Sequence, residues 1–65
     1  MDQLGLELRL TRIQQRIKQV ELARIMEISP STLSAIENGR RRPTQLQAYK
    51  INNALGKQIF NEDQD

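Results

Sequence analysis

QVELARIMEISPSTLSAIENG, residues 19–39, is the stretch on which the fold turns. It holds two short apolar-periodic segments separated by a break. Leu22, Ala23 and Met26 fall on one helical face; Leu33 and Ile36 do the same after the break, and Ile28 lies in the break itself. Ser29-Pro30 is a helix start: a hydroxyl that can cap the first turn, then a residue whose fixed φ suits that turn and whose missing N–H is not needed there. Asn38-Gly39 is a helix stop, because both residues tolerate the left-handed backbone that ends helices. The spacing predicts one helix over 19–26, a tight turn, and a second helix over 30–38.

Working outward, residues 2–16 read as a preceding helix with Asp2 available as its cap. At about 100° per residue, Leu4, Leu8 and Thr11 line up, with Gln15 on the same side and Arg12 at its edge. Leu6, Leu10, Ile13 and Ile17 line up on nearly the opposite side. One stripe must be core. The other has two readings: a wider core in which Leu6 and Leu10 lie against the C-terminal tail, or a dimer or partner surface. Downstream, Arg40, Arg41 and Arg42 form a basic loop before Pro43. Such a run is either a solvated loop or, directly after an exposed helix, a clamp for phosphates. Thr44 can cap a last helix over 45–55, in which Ala48, Ile51 and Leu55 share a face and which Gly56 ends. Leu46 and Tyr49 point the other way, and Ile59-Phe60 offer the last apolar anchors or a further contact surface. Residues 1–60 are expected to form one domain and 61–65 a disordered acidic tail.

Composition narrows the function. The 65 residues include no cysteine and no histidine, which removes the usual parts of zinc sites, disulfides and acid–base centres. No metal, cofactor or enzymatic activity is expected. No apolar run exceeds two residues, so no membrane span is expected either, and the lack of cysteine fits a cytoplasmic protein. Net charge is only +2, but all ten Lys and Arg lie between Arg9 and Lys57 with three acids, Glu21, Glu27 and Glu37, among them. That middle segment therefore carries +7 between acidic ends, a distribution suited to an anionic partner. Helix, tight turn, helix and stop within one basic segment is the layout of a helix-turn-helix that binds double-stranded DNA.

LGLELRLTR (4–12), QVELARIMEIS (19–29), STLSAIENGRRRP (31–43) and ALG (54–56) together resemble the Cro and phage-repressor class of helix-turn-helix regulators, without gaps over 4–56. The resemblance implies an all-α domain of four to five short helices. It also implies a transcriptional regulator, a repressor acting as a homodimer on a palindromic operator, with 30–38 as the recognition helix. By the same resemblance, Gln19 holds a backbone phosphate together with the N-terminus of its helix, and Arg12 and Glu37 form a shielded ion pair; Lys18 and Ser29 are further candidate DNA-binding residues. Pro30, Ser31 and Ala35 match positions that face base edges, flanked by Thr32 and Ser34. Asn38 and Arg40 to Arg42 are expected at phosphates or the groove edge. The chain departs from the class where relatives often carry Gln or Asn: Pro30 and Ala35 offer no side-chain hydrogen bond, only apolar contact to thymine methyls. Glu27 stands where Gly is usual, which puts a non-glycine residue in the left-handed region. Leu6, Leu10, Ile13, Ile59 and Phe60 are the candidate dimer or partner surface. An alternative reading is an antitoxin or adaptor that binds a protein partner through the apolar stripe of the first helix.

Overall fold

The computed structural model describes residues 3–61. Among these, four helices and no strand occur: α1 Gln3–Gln14, α2 Gln19–Met26, α3 Pro30–Glu37 and α4 Gln45–Leu55. α2 and α4 have the expected bounds. α3 stops one residue early and α1 ends at Gln14. The Asp2 cap and the acidic residues beyond Asn61 lie outside the described residues.

All four helices stop by one device. A residue with positive φ follows the last turn, and the next N–H reaches back five residues to an otherwise orphaned carbonyl. After α1, Arg16 has φ 60° and the Ile17 N–H donates to the Arg12 carbonyl at 3.0 Å. After α2, Glu27 has φ 61° and Ile28 donates to Ala23 at 3.0 Å. After α3, Gly39 has φ 78° and Arg40 donates to Ala35 at 3.0 Å. After α4, Gly56 has φ 66° and Lys57 donates to Asn52 at 3.2 Å. Two of the four left-handed positions carry a β-carbon, at a cost of about 1–2 kcal/mol each. Ile17 and Ile28, the residues just beyond them, pack against the core and help offset that cost. Arg16→Gly is therefore expected to raise stability by about 0.5–1 kcal/mol, the strain relieved less the added freedom of the unfolded chain. Urea unfolding checks this; an unchanged or lower midpoint would mean that Arg16 is not strained.

The helix starts follow from local chemistry. Ser29 Oγ accepts the Thr32 N–H at 3.1 Å, with Pro30 in the first turn. Thr44 Oγ1 accepts the Gln47 N–H at 3.1 Å while Gln47 Oε1 accepts the Thr44 N–H at 2.9 Å, a reciprocal cap. α2 has half of that arrangement: Glu21 Oε1 accepts the Lys18 N–H at 2.8 Å, and an ammonium has no lone pair with which to return the bond.

The core joins all four helices. Leu8, Leu22, Leu33, Ile36 and Ile51 are fully buried, with Ala23, Met26, Ala48, Leu55, Ile59 and Phe60 around them. Each large side chain contributes about 1.5–3 kcal/mol by leaving water. Two sequence expectations need correction. Leu4 is 37% exposed, and its neighbour Gly5 faces the protein instead. Ile59 and Phe60, 6% and 4% exposed, belong to the core and are unavailable as an interaction surface. The cause is Asn52, a buried polar residue of α4. Its Oδ1 accepts the N–H groups of Ile59 and Phe60 at 2.8 and 3.1 Å, and its Nδ2 donates to the Phe60 carbonyl at 2.8 Å. Those bonds turn the chain after Gly56 back under α4. The wider-core reading of α1 is not realised: Leu6, Leu10 and Ile13 remain 45%, 51% and 50% exposed. Only Ile17 of that stripe packs on the core. Leu46 and Tyr49 on α4 are exposed as well. Gln15 Nε2 donates to the Leu55 carbonyl at 2.7 Å and ties the end of α1 to the end of α4. Among the described residues, no helix is long and apolar enough to cross a membrane, and no group of acidic residues is arranged to hold a metal.

Candidate nucleic-acid interface

The two helices that form the central motif are held in place from behind by a buried carboxylate. Glu37, in the last turn of α3, is 5% exposed and Arg12 of α1 is 8% exposed. Arg12 Nε donates to Glu37 Oε2 at 2.7 Å, and Nη2 donates to Oε1 at 3.2 Å. This is the planar two-point match of guanidinium and carboxylate. A third donor, Arg12 Nη1, reaches the Ile17 carbonyl at 2.9 Å, and Gln19 Nε2 donates to Glu37 Oε1 at 3.1 Å. The cluster thus joins α1, the link after it, the start of α2 and the end of α3. The ion pair expected from the resemblance is present, and Gln19 has a second role. One of its two amide N–H groups is committed to Glu37, which leaves one for another acceptor. Sequence reasoning missed that bond. The signal for it was present, since a buried carboxylate has more lone pairs than one arginine fills.

With Leu33, Ile36 and Glu37 turned inward, the helical period sends Ser31, Ala35 and Asn38 to the opposite side of α3. Pro30, Ser31 and Asn38 are exposed, and Thr32, Ser34 and Ala35 are half-buried along the flanks. Several hydroxyls on this face already have partners. Ser29 Oγ and Thr32 Oγ1 share a hydrogen bond of 3.0 Å, and Asn38 Nδ2 donates to Ser34 Oγ at 3.5 Å. The arginine loop is fixed to the end of the same helix: the N–H groups of Arg40 and Arg41 both donate to the Ala35 carbonyl, at 3.0 and 3.3 Å. Arg40, Arg41 and Arg42 are exposed, and among the described residues none of them forms an ion pair. Lys18 is exposed at the start of α2. Glu27, in the turn, pairs with Lys50 at 3.2 Å and keeps 80% of its side chain exposed. That bridge offsets the acid's charge near the face but adds little stability.

Two short helices locked at a tight turn, the second presenting a free face with basic residues at its end, define a DNA-binding helix-turn-helix regulator. The chain belongs to the helix-turn-helix family of the Cro and C1 type, HTH_3, whose family model matches residues 8–60. A comparison with curated proteins and one with solved structures each found no match.

Proposed function

We propose that the protein is a transcriptional repressor that binds a palindromic operator as a homodimer in the cytoplasm, with α3 in the major groove. The observation that carries this reading is the pairing of a free α3 face with three exposed, unpaired arginines bonded to its C-terminal end. Ser29 to Ser31, Ser34 and Ala35 meet the bases or groove walls; Lys18, Gln19, Asn38 and Arg40 to Arg42 meet phosphates. No catalytic role is assigned to any residue. Selection from random duplexes tests the reading. Enrichment of an inverted repeat with half-sites one helical turn apart, about 34–36 Å, is expected. Enrichment of no sequence would overturn it.

The arginine loop supplies the salt dependence. Arg41→Ala with Arg42→Ala is expected to weaken binding to every duplex and reduce the slope of log K against log salt by about two, one for each lost phosphate contact. Binding titrations over a salt series check this, and an unchanged slope would remove the clamp.

The exposed stripe Leu6, Leu10 and Ile13 supports the homodimer and equally favours a second reading, an antitoxin or adaptor that docks a protein partner there. Leu10→Glu separates structure from association. Leu10 is 51% exposed, so helicity and melting temperature are expected to change little while any self-association through α1 is lost. Sedimentation equilibrium with circular dichroism reads both. Unfolding would return Leu10 to the core, and an intact dimer would place the contact elsewhere.

A further inference from the structure

The way α3 spends its polar atoms limits how it can read DNA. Strong hydrogen-bond readout of a base edge uses Arg or Lys at two points of guanine, Asn or Gln at two points of adenine, or an acid that accepts from the single amino group of cytosine. The first two turns of α3, the part of a recognition helix that enters deepest, read PSTLSAI and contain none of these. Their hydroxyls are few and partly committed. Thr32 Oγ1 is bonded to Ser29 Oγ at 3.0 Å, Ser29 Oγ also caps the helix through the Thr32 N–H at 3.1 Å, and Ser34 Oγ accepts from Asn38 at 3.5 Å. Ser31 keeps its whole hydroxyl and Ser34 keeps its O–H donor, and a hydroxyl bonds donors and acceptors alike. What remains is carbon: the exposed Pro30 ring in the first turn, and the half-buried Ala35 methyl one turn beyond Ser31 on the outward side of α3. The only apolar feature of the major-groove floor is the 5-methyl group of thymine.

We propose that this protein selects its DNA chiefly by apolar contact of Pro30 and Ala35 with thymine 5-methyl groups, rather than by paired hydrogen bonds to base edges. The proposal rests on the DNA-binding reading above and names the base chemistry that reading leaves open. The arginines supply affinity without sequence, the methyl contacts choose thymines under α3, and the identity of the remaining bases is filtered through duplex shape.

The test uses the full chain and the duplex recovered by random selection. Each thymine of one half-site is replaced in turn by uracil, which lacks only the 5-methyl group. At one or two positions under α3, affinity is expected to fall about fourfold, the worth of one buried methyl group; uracil outside the protected footprint is expected to change nothing. In Ala35→Gly, with folding confirmed by circular dichroism, the penalty at one of those positions is expected to disappear. Ala35→Ser, which keeps a side chain on the helix, is the second variant and is expected to shrink it. Wild-type affinity for the uracil duplexes, selected half-sites without thymine, or a full penalty in both Ala35 variants would each overturn the proposal. Failure to enrich any sequence is a different result and overturns the function reading itself.

Discussion

Glu37→Ala is expected to leave the protein largely unfolded. The substitution strands the Arg12 guanidinium, 8% exposed, with only the Ile17 carbonyl, and removes the acceptor of Gln19 Nε2. Breaking a buried ion pair from one side costs about 3–5 kcal/mol, because the surviving charge is neither hydrated nor paired. A domain of this size has about 3–5 kcal/mol in all. The two magnitudes meet, so thermal and urea transitions should shift below working conditions or vanish. The expected remedy distinguishes pairing from shape: Arg12→Met together with Glu37→Met removes both charges and should recover most of the lost stability, since an apolar pair carries no desolvation debt. A Glu37→Ala protein that melts within about 1 kcal/mol of the parent would mean that water reaches the pair.

The second large effect comes from adding a single methyl group. Gly5 sits inside α1, where glycine is worse than alanine by about 1 kcal/mol. Propensity alone therefore predicts that Gly5→Ala stabilises. The packing predicts the reverse, and by more. A β-carbon at Gly5 would lie 2.5 Å from the Ile36 carbonyl oxygen and 2.8 Å from that of Glu37. Both are backbone atoms at the end of α3 and cannot rotate away. α1 would have to lift from α3, and Arg12, further along the same helix, would move with it. Overpacking of this kind costs about 1–3 kcal/mol, and loosening the ion pair adds to it. Gly5→Ala is expected to lose at least about 2 kcal/mol by urea unfolding and to weaken DNA binding in proportion to the unfolded fraction. A stabilised variant would show that α1 can shift at no cost.

Much of the interface could be read in the sequence because its signals are local. Ser29-Pro30, Asn38-Gly39 and Thr44 act through their own neighbours, so a capping hydroxyl or a permissive glycine means the same in any fold. Glu27 was legible only through the resemblance, because it stands where the class usually has Gly; its left-handed φ is 61°. Arg16 adopts the same conformation without warning, since nothing in its type favours it. Gln19 was expected at a phosphate but shares its amide with Glu37, a partner 18 positions away. Ile59 and Phe60 were open to either a surface or a core reading. Asn52, whose bonds decide for the core, has no pattern to reveal it.

The sequence by itself determined the helices, their order, the exposed arginine loop and the polar poverty of α3, because periodicity, caps and residue chemistry need no distant partner. Only the tertiary structure decided which stripe of α1 is buried, where the tail goes and why Gly5 must be glycine. Both stripes of α1 are apolar, so hydrophobicity could not rank them. The choice falls to geometry: only the side bearing Gly5, Leu8 and Arg12 lets α1 approach α3 closely enough to bury the Glu37 pair.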